Sequence, residues 1–212
     1  MLLRNPRAIA AQVVSPSARS DAFSRLRSAR FLRIVGFLAV AAVLGSGLHA
    51  QANREEDREK AGFVRNFGRF VEWPAAALPV RGSLIIGFIG DDFFGDILAE
   101  ELRSKTANGH PIRYRRLHWN QQLAGCHILF VSASESEHLP SILQSISTES
   151  VLTISDLGGF AQTGGMIELI VVGERVHFDI NRYNALKAGL KIDSKLLGAA
   201  RRVYTENLLA AR

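Results

Sequence analysis

Cysteine is almost missing from this chain: Cys126 is the only one among 212 residues. A lone thiol cannot close an intramolecular disulfide, so a disulfide framework is excluded. Its setting, AGCHILFVS, opens an apolar run, where a packed thiol is expected in preference to a reactive one or an intermolecular bridge. Phosphate-binding signatures are also missing. GFIGDDFFG lacks both the G-x-G-x-x-G spacing and the Lys-Ser/Thr of a P-loop, and its two aspartates would repel a phosphate. There is no G-x-S-x-G turn to expose a serine nucleophile. No two histidines stand at a ligand-pair spacing, and Cys126 and His127, adjacent on a strand, point to opposite faces. No metal, cofactor or catalytic set is expected, and the chain reads as non-enzymatic, with an exported enzyme as the minor alternative.

A charge excess of one sign is absent from most of the chain. The 26 Lys and Arg outnumber the 20 Asp and Glu by six. The first 52 residues carry seven of the basic residues and one acid, leaving 19 of each sign in the remainder. The basicity therefore belongs to the leader, and no nucleic-acid partner is expected. Arg25, Arg27, Arg30 and Arg33 precede an uncharged run over 34–48 and the A-x-A pattern Ala50-Gln51-Ala52, the pattern of a secretion signal cleaved after Ala52. The run is shorter than the about 20 apolar residues of a membrane span, which leaves an uncleaved anchor as the alternative. The expected division is a leader at 1–52, a charged flexible lead-in at 53–59, an α/β domain at 60–205 and a tail at 206–212.

The domain alternates helical and extended patterns. Phe63, Val64, Phe67, Phe70 and Val71 recur at helical spacing, and Pro74 predicts the helix end just before it. On that wheel Asn66 falls inside the aromatic arc with Trp73. The pattern predicts Phe63, Phe67, Phe70 and Trp73 as the hook that docks the first helix. Asn66 is expected to hydrogen-bond a neighbouring backbone or loop, because an unpaired buried amide costs about 1–3 kcal/mol. SLIIGFIG, CHILFVS and VLTISDL are continuous apolar runs that fit strands buried on both faces. Asn108-Gly109 introduces an alternating, edge-type strand to residue 117. Helices are expected after Asp91-Asp92, over 137–148 and after Asn181, with a hairpin turning at Gly173-Glu174 and, within 189–203, a short extended piece and a last helix. The sum is an α/β three-layer sandwich with a mostly parallel mixed sheet and a C-terminal antiparallel hairpin.

In open α/β sheets, ligands gather beyond the carboxyl ends of the strands. That places the candidate ligand or partner edge at Asp91, Asp92, Ser132, Ser134, Ser155, Asp156 and, in the glycine loop 158–165, Gly164 and Gly165. The competing explanation for each is an ordinary helix cap or turn, and the histidines are expected at strand ends or the surface.

Five stretches in order, KAGFVRNFGRFVEWP, LIIGFIGDDFFGDIL, GCHILFVSASE, VLTISDLGGFAQTGGMIELIVVGERVHFDIN and AGLKIDSKLLGAARRV, resemble the YfiR family of exported bacterial proteins over about Lys60 to Val203. The resemblance implies a periplasmic α/β domain without known catalysis. It further implies a partner, the periplasmic sensor region of an inner-membrane diguanylate cyclase, held inactive so that cyclic-di-GMP and biofilm formation fall. A small-molecule-binding sensor module acting on another membrane signalling protein is the alternative function, and a second copy of the chain is the other partner considered. Repressors of this type can carry disulfides, and the solitary Cys126 departs from that pattern.

Overall fold

The structure, a computed structural model, describes residues 51, 53–90, 94–173 and 175–208. The expected leader up to Ala50, the cleavage residue Ala52, and the candidate residues Asp91 and Asp92 lie outside the described residues. In chain order the elements are α1 (residues 53–67), β1 (Val71–Glu72), β2 (Leu84–Ile89), α2 (Phe94–Leu102), β3 (Thr106–Ala107), β4 (His110–Leu117) and β5 (Ile128–Val131). There follow α3 (Leu139–Ser145), β6 (Leu152–Ser155), β7 (Ile167–Val172), β8 (Arg175–Asn181), α4 (Arg182–Lys187), β9 (Lys191–Ile192), α5 (Ser194–Ala199) and β10 (Arg202–Tyr204).

One eight-stranded sheet runs in the order β10-β8-β7-β6-β5-β2-β4-β3. The five strands β4, β2, β5, β6 and β7 run parallel to one another. The hairpin expected at Gly173 pairs β7 with β8 antiparallel, and Gly173 supplies the positive φ of +65° at its turn. The alternation of side chains along the parallel strands builds two cores. Leu84, Ile86 and Phe88 of β2 join Ile128 and Phe130 of β5 beneath α1, α2, α4 and α5. Ile89, Leu129 and Val131 point the other way, against Leu139 and Ile142 of α3. The result is the expected three-layer α/β arrangement. Burying each large side chain contributes about 1.5–3 kcal/mol, far above an exposed ion pair, so these two cores hold the layers together.

The first helix departs from its expected bounds: the residues expected as a flexible lead-in, 53–59, already form its first turns, where Glu56 pairs with Lys60. The helix stops at Phe67, where Gly68 lets the chain pass so close to β2 that a Cβ would stand 2.7 Å from Leu84 Cδ2. The chain then turns, and Val71 and Glu72 pair antiparallel with Ile192 and Lys191 of β9. Phe70 and Trp73 are therefore not on the helix whose wheel grouped them with Asn66. The expectation for Asn66 fails with it. Its residue is half-buried, its carbonyl accepts the Arg69 N–H at 2.9 Å, and its side chain makes no hydrogen bond among the described residues. At the last helical turn water reaches the amide, and no internal partner is needed. The periodicity also missed three very short pairings: β3 on β4, β9 on β1, and β10 parallel to β8.

Candidate functional site

The carboxyl ends of β2, β5 and β6 meet at Gly90, Ser132 and Asp156, as doubly wound connections require. Ser132 Oγ accepts the Ser134 N–H at 3.2 Å and the Ser134 hydroxyl at 3.2 Å, closing the 3-10 turn Ala133–Glu135. Asp156 is divided between two donors. Its Oδ1 accepts the Ala133 N–H, and its Oδ2 lies 3.2 Å from Lys60 Nζ of α1. Lys60 also pairs with Glu56 at 2.8 Å. Burial alone would push the Lys60 ammonium down, but the hydrogen bond to Glu56 and the charge of Asp156 outweigh it and leave the pKa raised. Ser155 is fully buried, and its Oγ accepts the Leu157 N–H at 3.0 Å.

The structure thus brings together four of the expected edge residues, Ser132, Ser134, Ser155 and Asp156, and engages each in a cap, turn or ion pair. Asp156 accepts on both oxygens and faces a permanent cation, so it is poorly placed as a general base. Chemically the cluster is a tie: it fastens α1 to the loops after β5 and β6.

Beside this tie is a feature that pattern reasoning missed. Trp119, in the loop after β4, is 41% exposed. Its ring stacks on His138 with centroids 4.2 Å apart and planes 7° from parallel. Glu135 Oε2 holds His138 Nδ1 at 2.9 Å. The signal was a tryptophan inside the polar stretch HWNQQ, where no core position is available. An exposed, rigidly backed indole of this kind is a natural contact for another molecule.

Gly164 and Gly165 are placed elsewhere. After the 3-10 turn Phe160–Gln162 the loop doubles back along β6, and the Met166 N–H donates to Thr153 Oγ1 at 3.1 Å. Asn184 Nδ2 donates to the carbonyls of Gly164 and Gly165 at 3.0 and 3.3 Å. Upstream, the buried Glu168 accepts the N–H groups of Gly159 and Ala161 at 2.9 and 3.2 Å, and Asn181 Nδ2 donates to Ala161 O at 2.7 Å. A Cβ on Gly165 would run into the buried Phe160 ring. Gly164 lines a cleft of about 270 Å3 between α3, the start of β6 and α4.

The aromatic residues of the first segment serve the core. Phe63 and Phe67 pack on Phe178 with centroids 5.6 and 5.3 Å apart, and Phe70 and Trp73 pack against the same cluster. Trp73 Nε1–H donates to the carbonyl of His127 at 3.2 Å. His127 stands at a strand end, immediately before β5, as expected of the histidines, but it is buried with both ring nitrogens bonded. The Ile85 N–H donates to Nδ1 at 3.0 Å, which leaves Nε2 to carry the proton and donate to Ala77 O at 3.0 Å. Burial pushes its pKa down, against the opposing pull of the Ala77 carbonyl. Cys126 is buried, and burial pushes its thiol pKa up despite the charge of Arg115.

Residues 57–201 match the family model described as YfiR/HmsC-like. Among solved structures the chain is similar to an ABC domain in complex with L-Trp from Streptococcus pneumonia, at 11% identity and a TM-score of 0.42. The alignment covers 61% of this chain and spans 57% of that one. Among the described residues, no helix is long and apolar enough to cross a membrane.

Proposed function

The chain belongs to the YfiR/HmsC-like family, and from that premise we propose that it is an exported, non-enzymatic regulator of a membrane signalling protein. The partner is the periplasmic sensor region of an inner-membrane diguanylate cyclase, which the protein holds inactive, lowering cyclic-di-GMP. The leader is removed after Ala52, and residues 53–212 act in the periplasm. One observation carries the reading: the family match covers residues 57–201, nearly the whole described domain. The carboxyl edge supports it, because Ser132, Ser134, Ser155 and Asp156 are spent on internal bonds while Trp119 is presented outward.

Restraint of an enzyme across a membrane requires preferential binding to its inactive state, since equal affinity for both states shifts nothing. A pull-down of the protein with the periplasmic segment of the neighbouring cyclase tests the reading, together with cyclic-di-GMP measured after deletion. Capture and a rise in cyclic-di-GMP are expected; no capture with unchanged nucleotide sinks it.

A further inference from the structure

The cleft beside Gly164 has a composition that the regulatory role leaves unused. Its floor is apolar, formed by Leu143, Ile146, Val151 and Met166. At about 270 Å3 it is slightly smaller than the cavities that hold drug-sized molecules. Several polar groups on its walls are committed inward: Ser147 Oγ donates to Gln144 O, Thr163 Oγ1 to Gly159 O, and Asn184 Nδ2 to Gly164 O. Four others are not, one of them the exposed Gln144 amide on α3. Thr153 is only 2% exposed; its oxygen accepts the Met166 N–H, and its own hydroxyl proton has no acceptor among the described residues. Glu149, on the loop before β6, and Lys187, at the end of α4, line the same cleft with opposite charges. Neither forms an ion pair among the described residues.

Opposite charges flanking one apolar floor, and not neutralising each other, are complementary to a molecule carrying both charges and an apolar body. We propose that this cleft binds a small zwitterion of the apolar α-amino acid class. Lys187 takes the carboxylate, Glu149 the ammonium, and the side chain lies on Met166, Val151, Leu143 and Ile146. The buried Thr153 hydroxyl gives its free proton to the carboxylate. A singly charged molecule of the same shape leaves one wall charge unanswered and a neutral one leaves both, so each binds less well. The cleft lies toward the amino end of β6, away from the carboxyl edge where Trp119 sits, so the inference stands or falls independently of the regulatory reading.

The test is calorimetric titration of the purified protein with L-leucine, L-valine and L-methionine. Two partial probes accompany them: 4-methylpentanoate, which has only the carboxylate, and 3-methylbutylamine, which has only the ammonium. At least one amino acid is expected to bind, with both partial probes weaker by roughly tenfold or more, the loss of one charge-assisted hydrogen bond. Glu149→Gln and Lys187→Gln are each expected to weaken the amino acid by a similar factor. Both residues are exposed, and an unchanged melting temperature confirms that the variants are folded. Absence of binding by all three amino acids overturns the proposal. So does equal binding of a partial probe, or unchanged affinity in both variants.

Discussion

His127 joins two other segments through one ring and its own carbonyl: β2 at Ile85, and the loop after β1 at Trp73 and Ala77. Nδ1 must accept and Nε2 must donate, so the ring works only when neutral, and burial holds its pKa below the ordinary 6.5. The unfolded chain takes up a proton as pH falls through about 6.5 while the folded chain does not. Stability from this group is therefore complete above the unfolded value and drains away as pH falls toward the lowered folded pKa. Urea midpoints measured from pH 8 to pH 5 should fall with pH, and His127→Leu should flatten that slope in the same range. The variant should also lose about 1–3 kcal/mol at pH 8, because Ile85 N–H and Ala77 O are left unpaired; a midpoint equal to wild type contradicts the clamp. Asn66 is the opposite case. Its half-buried amide has no partner among the described residues, so Asn66→Leu should change stability by no more than about 0.5 kcal/mol. A larger loss in thermal unfolding would restore the docking role that the helical wheel assigned to it. Neither residue was legible in sequence. A wheel reports direction around a helix axis but not where α1 stops, and strand alternation does not show which backbone lies beside the His127 ring.

The glycine loop after β6 is placed by sequence on the candidate ligand edge, yet the structure straps it elsewhere at several points. Glu168 takes two of its N–H groups, Asn181 one carbonyl and Asn184 two more. Replacing Glu168 with Ala should cost about 1–3 kcal/mol through the orphaned Gly159 and Ala161 donors, read as a drop in the urea midpoint. Gly165→Ala should cost a similar amount, since its Cβ meets the fully buried Phe160 ring, which cannot move without opening the second core. Wild-type stability in both variants would show the loop to be loose. At this scale the long apolar strands and the β7–β8 hairpin were legible, because continuous burial and alternation are written in Ile86, Phe88, Ile128 and Phe130. The two- and three-residue strands β1, β3 and β10 were not, and for β9 only a short extended piece was legible, without its partner. A pair such as Val71-Glu72 has no period of its own and becomes a strand only because Gly68 ends α1 against Leu84. The glycine loop failed to join the carboxyl edge for a related reason: its path is set by Glu168, Asn181 and Asn184, each distant in sequence or hidden within another element's pattern.

For the whole molecule, the question is which face meets the partner. The side chains with most chemistry at the carboxyl edge are consumed in tying α1 to the sheet, with Lys60 and Asp156 at the centre. What the edge offers outward is Trp119 on its His138–Glu135 support. Tryptophan is over-represented among the few residues that carry most of an interface's binding energy, where truncation costs at least about 2 kcal/mol. Trp119 contributes little to either core, being 41% exposed, so Trp119→Ala should leave the melting temperature within about 1–2 °C of wild type, as a surface change does. Capture of the cyclase's periplasmic segment should weaken by about thirtyfold, the equivalent of 2 kcal/mol. Cyclic-di-GMP in cells carrying the variant should then rise toward the level of the deletion. His138→Ala tests the same surface through its support: it leaves the indole in place but unbacked, and a smaller loss of capture is expected. Wild-type capture by a folded Trp119→Ala protein removes the carboxyl edge as the docking face and leaves the family role to another surface. Capture lost only together with folding points back to packing and denies Trp119 a direct contact.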